Sequence, residues 1–342
     1  MKRPHTLMRF DVAAFGELVI DMVPVREAGR EHLFVANPGG APGNVAAGVA
    51  RLGLSAAMLS KVGPGHLGDL LIGTLARAGV ETRGIIRAAV ETTALAIVSV
   101  DAEGERDFVL YREGCADASF AANEVALDVV RRSRVLHVGS LSLATPPSAA
   151  AQRLAIATAI EAGVLISADV NFRPAVWRDH EAMLATGRDA IASADIVKVS
   201  EEELRALAPT DDTIAAVSAI WQPRLKVLAV TRGSKGAELF TRRFHCQVPG
   251  FEVSVVDTVG CGDAFMAALL AGLLETDLTA LDERTLFEIG RFACAAGAVI
   301  AGVAGAMEHM PRREDIAPLL ATTPRTAAAA GRRRRAQATS SR

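Results

Sequence analysis

The stretch that decides the fold of this chain is Asp257-Thr258-Val259-Gly260-Cys261-Gly262-Asp263. An alternating apolar run over 253–256 predicts a short strand before it, and the apolar segment 264–274 predicts a buried helix after it. The two glycines allow a tight turn that points several backbone N–H groups in one direction. Free N–H groups and the dipole at a helix N-terminus form an anion site suited to phosphate. The stretch therefore predicts a phosphate cradle.

Asp263 lies at the edge of this predicted cradle, where its carboxylate could take a proton from a hydroxyl that attacks the phosphate. Phosphoryl transfer needs these two parts close together. The helix dipole is expected to lower the pKa of Asp263. The alternative is an ordinary tight turn in which Asp263 caps the helix. The flanking strand and helix, with Asp257-Thr258 ahead of the glycines, favour the phosphate site.

The composition fits one large α/β domain, which we place at 9–321. The chain has 342 residues, half of them hydrophobic, which is enough for a large core. No apolar run reaches the roughly 18 residues that a membrane span needs, and acidic residues interrupt the only candidate for a signal peptide. The four cysteines and seven histidines show no metal-ligand spacing. We therefore expect a cytoplasmic protein without a membrane partner.

The charge of the chain is unevenly distributed. The net charge is −2, and the six arginines of residues 325–342 leave −8 on residues 1–324. Because an acidic body repels phosphate backbones, we expect no specific nucleic-acid partner. Residues 322–342 combine arginine with Ala, Gly, Thr and Ser, which predicts a disordered tail.

Strand and helix patterns alternate along most of the chain. Predicted strands lie near 135–139, 164–169, 195–199, 226–231 and 237–241, and predicted helices near 146–162, 180–193, 201–207 and 212–220. This alternation implies a mostly parallel sheet covered on both faces. Earlier in the chain, 10–20 predicts a first buried strand. The segments 22–36 and 92–112 predict hairpins that form a small separate sheet.

Polar clusters follow the predicted strands at 169–173, 198–203 and 231–236, in addition to 257–263. Ligands of open α/β sheets bind outside the carboxyl ends of the strands. Any one cluster could be a plain loop, but four successive clusters favour a binding site.

A glycine-rich loop, Asn37-Pro38-Gly39-Gly40-Ala41-Pro42-Gly43-Asn44, precedes a predicted helix over 45–52. Such a loop brings backbone close to a ligand, and Asn44 offers both a donor and an acceptor. A flexible loop with Asn44 as a helix cap is the alternative. Asp21, at the end of the first predicted strand, could accept hydrogen bonds from ligand hydroxyls or could be a turn residue.

Residues Gly63-Pro64-Gly65-His66-Leu67-Gly68 match the Gly-x-Gly-x-x-Gly fingerprint of dinucleotide-binding proteins. They follow a predicted strand over 56–62 and precede a predicted helix over 69–78, so an NAD-dependent oxidoreductase is the alternative from another class. Against it, this is not the first strand, and no acidic residue closes the next strand about 20 positions later, where a ribose partner belongs. We therefore interpret the match as a turn.

The motifs together resemble the ribokinase-like (PfkB) carbohydrate kinases over nearly all of residues 10–320. The family has two signature motifs, and the stretch 257–263 resembles one of them. The other is resembled by the glycine-rich segment 39–44 and the helix after it. The family's Asp-x-Asn-x-Arg segment is resembled by residues 169–173. Three segments are most similar to the fructokinase branch of the family, and they are Gly39-Gly40-Ala41-Pro42, residues 198–203 and residues 104–108. The resemblance implies a three-layer α/β/α sandwich with a mostly parallel central sheet and a small β-sheet lid.

The resemblance also implies a role for each candidate residue. Asp263 would be the base, and the N–H groups of Gly260, Cys261 and Gly262 would hold the phosphoryl group. Those that would bind the sugar are Asp21, Gly39, Gly40, Asn44, Arg112 from the lid, and Arg173. Those that would lie toward the phosphates of ATP and their Mg2+ are Asn171, Ser200 and Glu203, again with Arg173. Those that would border the adenine and ribose are Thr231, Gly233 and Gly236.

A monovalent cation, K+, would lie near Asp257 and the backbone of Val259, although 300–309 matches the family's cation loop only at Gly305-Ala306. Two other departures are Cys261 in place of the usual Ala and Ser200 where many members have Asn. We expect a sugar and ATP as partners and, because the lid has exposed sheet edges, a homodimer through the lid.

The implied activity is phosphorylation of fructose to fructose 6-phosphate by ATP. Another kinase of the same family, acting on 2-keto-3-deoxygluconate or a ribose-like sugar, is the alternative. A catalytically silent sugar-binding protein is a further alternative, and the presence of Asp263 argues against it.

Overall fold

The computed structural model describes residues 10–25, 32–100, 106–177 and 179–322. The predicted leader, parts of both predicted lid hairpins and nearly all of the predicted tail at 322–342 lie outside the described residues. The prediction of a disordered tail therefore stays a prediction.

The strands of the described residues belong to two sheets. In chain order they are β1 (Phe10–Phe15), β2 (Val19–Pro24), β3 (Phe34–Gly39), β4 (Ala56–Val62), β5 (Ile85–Arg87), β6 (Ala94–Val100), β7 (Arg106–Tyr111), β8 (Ser133–Gly139), β9 (Leu165–Asp169), β10 (Ile196–Ser200), β11 (Val227–Thr231), β12 (Gly236–Phe240) and β13 (His245–Pro249). The α-helices are α1 (Ala41–Arg51), α2 (His66–Arg77), α3 (Leu127–Arg131), α4 (Pro146–Ala162), α5 (His180–Ser193), α6 (Glu201–Leu207), α7 (Thr213–Ile220), α8 (Cys261–Leu274), α9 (Glu283–Ala301) and α10 (Arg313–Leu320).

The central sheet has the order β13-β12-β11-β10-β9-β8-β1-β4-β5. The strands from β11 to β5 in that order run parallel, and β12 and β13 are antiparallel at one edge. One buried cluster packs α1, α2, α8 and α9 on one face, and a second packs α3 to α7 on the other. Burial on both faces explains why every residue of β4 is buried. The predicted three-layer sandwich is confirmed.

The smaller sheet has the order β3-β2-β6-β7. The antiparallel pairs β2–β3 and β6–β7 are joined by the parallel pair β2–β6. The predicted small sheet is thus present, but the prediction of one strand over 10–20 was wrong. The chain leaves the central sheet at Gly16, where an added Cβ would lie 2.5 Å from Cγ of Pro42. Because both flanking segments are largely apolar, their hydrophobicity conceals the change of sheet.

The strand predicted over 253–256 was also wrong, since the structure has an irregular segment there. Val255 and Val256 are 64% and 57% exposed. The backbone N–H of Val256 donates to the carbonyl of Ala301 at the end of α9, at 2.7 Å. The backbone here bonds to the end of a helix and not to a neighbouring strand. The alternating sequence pattern therefore belongs to a loop.

Helix α8 follows this loop and is buried on nearly all sides between α1 and α9. It therefore holds its N-terminus rigidly at the carboxyl edge of the sheet. Of the helices that the structure describes, none is long and apolar enough to span a bilayer.

Candidate active site

A central cavity of about 1080 Å3 opens between the carboxyl ends of the central strands and the small sheet. Its charged and polar side chains come from both sheets and from the loop before α8. They are Glu17, Asp21, Asn44, Ser140, Asn171, Arg173, Lys198, Asp257, Thr258 and Asp263. The cavity therefore joins segments that are far apart in the chain.

The predicted cradle lies at the N-terminus of α8. Gly260 is the N-cap in a left-handed conformation (φ 80°, ψ −3°), and an added Cβ would collide with Ala306. The described protein offers no acceptor to the N–H groups of Gly260 and Gly262, both of which line the cavity. The N–H of Cys261 donates to the carbonyl of Thr258 at 3.3 Å. Two of the three predicted amides are thus open to a ligand, and the third is in a long turn bond.

Asp263 is 8% exposed and lies in the first turn of α8. Nδ2 of Asn44 donates to its Oδ2 at 2.7 Å. Burial raises the pKa of Asp263, against the hydrogen bond from Asn44 and the charges of Lys198 and Arg173, which lower it. The expected lowering by the helix dipole was therefore wrong, because desolvation outweighs it. A raised pKa makes this carboxylate a better base.

Asn44 carries an unmet acceptor. Its Oδ1 is buried and has no hydrogen-bond partner in the part of the chain that the structure describes. Buried polar atoms are nearly always paired, so this oxygen fits a donor from a ligand. The binding role of Asn44 stays a prediction, with which this open acceptor is consistent.

Asp21 faces the same cavity from β2. Its carboxylate lies over Gly39, where any Cβ would collide with it. Burial, and next the charge of Asp263, raise the pKa of Asp21 to about 7. Two carboxylates that repel each other across a cavity suit a ligand rich in hydroxyl donors.

Glu17 and Lys198 line the cavity, but neither was among the predicted site residues. Oε2 of Glu17 is buried without a partner among the described residues, and burial raises the pKa of this carboxyl to about 7. Nζ of Lys198 contacts both carboxylate oxygens of Asp169 at 3.0 Å. The available signals were a charged residue at the break after β1 and a lysine within an apolar strand.

Arg112 does not line the central cavity. Its Nε donates to Oδ2 of Asp117 at 2.5 Å, and both side chains are buried. Nη1 and Nη2 have no partner in the described chain. Its charge acts on Glu17, which is a cavity residue. The prediction that Arg112 closes over the sugar stays a prediction.

The residues predicted to lie toward the phosphates divide into two groups. Asn171 and Arg173 line the cavity, and Asn171 has a left-handed backbone (φ 41°), which is unusual outside glycine. Ser200 and Glu203 instead form the capping box of α6. Glu203 also accepts the N–H of Phe172 at 2.8 Å. It thereby ties the loop that carries Asn171 and Arg173 to α6.

The residues predicted to border the adenine lie beyond the cavity lining, at the end of β11. Thr231 pairs in register with Ser200, so the two strand ends are neighbours. An added Cβ at Gly233 would meet open space, whereas one at Gly236 would collide with Val248 backbone. That Thr231, Gly233 and Gly236 border the adenine and ribose stays a prediction.

Asp257 is 6% exposed and holds two loops together. Its Oδ1 accepts the N–H of Val259 at 3.0 Å and its Oδ2 that of Gly305 at 3.4 Å. Among the described residues no group of three His, Cys, Asp or Glu side chains could hold a metal ion by itself.

The thiol of Cys261 is inert. Burial, and next the charge of Asp257, raise the pKa of Cys261 to about 12.

The Gly63–Gly68 segment packs against the chain that leads into β6. The N–H of Gly63 donates to Oγ1 of Thr93 at 3.0 Å. An added Cβ at Gly63 would collide with the Thr93 backbone, and one at Gly68 with the Gly63 carbonyl. These contacts are those of a tightly packed turn, whereas an added Cβ at Gly65 would meet open space. The interpretation of the segment as a turn stays a prediction.

Comparison with known proteins agrees with this geometry. The family model of the pfkB family carbohydrate kinases matches residues 9–313. Fructokinase-2 of Solanum lycopersicum is 40% identical over 314 residues, which cover 90% of this chain and 95% of that protein.

Solved structures give the same result. The fructokinase of Xylella fastidiosa with bound ATP has a TM-score of 0.84 at 34% identity, covering 91% of this chain and 98% of that one. The fructokinase of Vibrio cholerae O395 with fructose, ADP and calcium has a TM-score of 0.79 at 29% identity, covering 91% and 99%. The fold is therefore ribokinase-like, and the chain belongs to the pfkB family of carbohydrate kinases.

Proposed function

We propose that the chain is a fructokinase, which transfers the γ-phosphoryl group of ATP to the 6-hydroxyl of fructose. The observation that carries this proposal is the buried carboxylate of Asp263 beside the open N–H groups of Gly260 and Gly262, in one cavity with Asp21 and Asn44. The fructokinase relatives support fructose as the acceptor and ATP as the donor.

The sugar would be held by acceptors that the protein leaves unsatisfied. Oδ1 of Asn44 and the carboxylate of Asp21 would accept hydrogen bonds from sugar hydroxyls. Gly40, which caps α1 with φ 105°, has no side chain between the backbone and the cavity. This arrangement would orient one hydroxyl toward Asp263.

In the transfer step, the O6–Pγ bond forms and the bond from Pγ to the β,γ-bridging oxygen breaks, which releases ADP. The N–H groups of Gly260 and Gly262 would stabilise the oxygens of the transferring group. Asp263 takes the O6 proton. In a loose transition state this proton leaves late, so the alignment of O6 by Asp263 matters as much as its basicity.

We propose Mg2+ and K+ as the ions of this site. Mg2+ binds phosphates together with one or two protein groups and water. The amide oxygen of Asn171 at the cavity and the remaining lone pairs of Glu203 fit that role. When bound, Mg2+ would neutralise charge on the phosphates. The loops joined by Asp257, at Val259 and Gly305, fit a site for K+.

We also propose a homodimer through the lid. Four large apolar side chains of β3 and β7 are exposed, at 42–57%, and they are Phe34, Val35, Val109 and Tyr111. Both strands are edges of the small sheet, and open edges pair readily. Light scattering should give twice the chain mass for the wild type and the chain mass for Val35→Glu. A monomeric wild type would contradict the dimer.

We propose that the enzyme works in the cytoplasm. All four cysteines are free, and three of them are buried, as is usual in a reducing compartment. Cell fractionation should recover the kinase activity in the cytosolic fraction. Recovery in another fraction would contradict this location.

The function is tested by ADP release across a panel of sugars. Fructose should give the highest kcat/KM, and the phosphorus NMR spectrum of the product should identify the 6-phosphate. A higher value for 2-keto-3-deoxygluconate or ribose would correct the substrate. No ADP release with any sugar, together with NAD reduction at 340 nm, would overturn the kinase proposal.

A further inference from the structure

Lys198 is a buried cation in the middle of β10. It is 6% exposed and lies in register with Ala229 of β11. Removing an ammonium group from water is costly unless the charge is paired. The pairing comes from Asp169 on β9, whose two carboxylate oxygens each lie 3.0 Å from Nζ.

This ion pair uses only part of the hydrogen-bonding capacity of the ammonium group. A lysine ammonium carries three N–H donors, and the oxygens of Asp169 account for two. In the described structure no protein atom accepts the third. Since Lys198 lines the central cavity, that donor is available to a ligand there.

The ammonium group also lies directly against the phosphate cradle. A Cβ built on Gly262 would be 3.0 Å from Nζ and 3.6 Å from Cε of Lys198. A side chain at Gly262 would press against the ammonium group, which would have to shift by a few tenths of an ångström. The open N–H of Gly262 and the spare donor of Lys198 lie side by side at the first turn of α8.

Charges around Lys198 keep it protonated. Burial lowers the pKa of Lys198, but the charges of Asp169 and Glu203, the hydrogen bond to Asp169 and the charge of Asp263 raise it above its ordinary value. A second proton site close by, His137, is buried with its Nδ1 2.8 Å from Oγ of Ser167, and burial lowers its pKa to about 3. Lys198 is thus a fixed cation in the floor of the site.

We propose that Lys198 is a catalytic residue whose ammonium group binds the γ-phosphoryl oxygens of ATP beside the N–H of Gly262, while Asp169 holds the ammonium in place. The proposal rests on the kinase function proposed above. It adds a full positive charge to a cradle otherwise made of backbone dipoles. No covalent bond to Lys198 forms or breaks, and the lysine keeps its proton throughout.

The alternative is that Lys198 only neutralises Asp169. Lys198→Met would then fail by leaving a buried carboxylate unpaired, so the decisive protein is the double variant Asp169→Asn/Lys198→Met, in which neither charge remains. Lys226→Met is the matched control, because Lys226 also pairs with a buried aspartate, Asp195, at the opposite end of the neighbouring strands. Thermal unfolding of each variant shows that it is folded.

We expect both Lys198 variants to lose about 100-fold in kcat, as for the loss of one anion-hole donor, with fructose affinity within twofold of wild type. Calorimetry with AMP-PNP and with ADP should show about tenfold weaker AMP-PNP binding and unchanged ADP binding. Lys226→Met should match the wild type.

Recovery of wild-type kcat in the double variant would overturn the proposal, as would an equal loss of affinity for AMP-PNP and ADP. The nucleotide comparison contains no sugar. It therefore tests Lys198 even where the fructose assay fails, which keeps the two proposals distinguishable.

Discussion

The two ends of strands β9 to β11 each bury an aspartate beside basic side chains, yet the two clusters differ in how fully they are bonded. At the amino end, Asp195 accepts the N–H of Ile166 at 2.9 Å, two bonds from Arg224 at 3.0 and 2.7 Å, and one from Lys226. At the carboxyl end, Lys198 is the single cationic partner of Asp169 among the residues that the structure describes.

The surroundings extend this contrast. Around the central cavity, Oδ1 of Asn44 and Oε2 of Glu17 are buried without partners in the described chain, and Asp21 and Asp263 repel each other. Since folding alone would favour satisfied polar groups, the bonded cluster at the amino end is structural. The unsatisfied cluster at the carboxyl end is arranged for a ligand.

The largest expected effect is at the unsatisfied end. Asp263→Asn should lower kcat by about 10³- to 10⁴-fold, because the acceptor of the O6 proton is lost, while the bond to Asn44 can be kept by the amide. A coupled ADP assay gives kcat, and calorimetry should show fructose affinity within threefold of wild type. Retained turnover would remove Asp263 as the base.

The matched change at the bonded end should act on stability instead. Asp195→Ala leaves the half-exposed Arg224 and Lys226 without their buried partner. We expect the free energy of unfolding to fall by about 2–3 kcal/mol, as for lost hydrogen bonds to a charged group. Urea denaturation measures this loss. The kcat of the folded variant should stay within twofold of wild type, and a large loss of kcat at unchanged stability would break the contrast between the two ends.

Asp21→Ala sharpens the contrast within the cavity. We expect the KM for fructose to rise by about 10- to 100-fold, as for a lost hydrogen bond to a charged group, and the KM for ATP to change by less than twofold. Initial-rate kinetics with each substrate varied give both values. Equal changes in the two constants would mean that Asp21 is structural. Asp69, which pairs with Arg87 at the surface, supplies the control variant Asp69→Ala.

The smallest expected effect concerns pH. The pKa of Asp21 is raised from 3.8 to about 7 in the folded chain, so the folded state holds a proton that the unfolded state has lost. The stability from this group is therefore present below about pH 4 and disappears as the pH rises through 7.

Asp21→Asn cannot ionise and should escape this loss. Its melting temperature minus that of the wild type, both without ligands, should increase by about 2 °C between pH 5 and pH 8. Differential scanning calorimetry at the two pH values measures this difference. A melting-temperature difference that stays constant or shrinks would show that the pKa of Asp21 is not raised in the ligand-free protein.

Much of the fold follows from local patterns. The helix predicted at 146–162 has the bounds of α4, because Pro146 can begin a helix and Gly163 ends it in a left-handed conformation. The helix predicted at 180–193 matches α5, which Asp179 caps. Such signals lie within a few residues of the element that they define.

The failures concern partners rather than propensities. Residues 19–24 have strand character, but their pairing with 34–39 and 94–97 in the small sheet is not encoded in their own alternation. The segment 253–256 has the alternating pattern of a strand, but its backbone hydrogen-bonds to the end of α9 and not to a neighbouring strand.

The site shows the same division. The Gly-x-Gly-Asp turn and the glycine-rich loop before Asn44 were predicted as binding segments, since each is a local backbone feature. Glu17 was missed, and Lys198 was given no role of its own although it belongs to the predicted polar cluster 198–203. What a charged residue contacts across a cavity cannot be read from its apolar neighbours in the sequence.

The sequence by itself determined the parallel sheet between two helical layers, the small second sheet and the turn that begins α8. These depend on periodicity, on glycine and on helix ends, which are local. Only the tertiary structure decided that Asn44 would meet Asp263, 219 positions away, and that burial would raise rather than lower the pKa of this carboxyl. Desolvation and long-range pairing arise from the packed chain as a whole, so no single stretch of the sequence carries them.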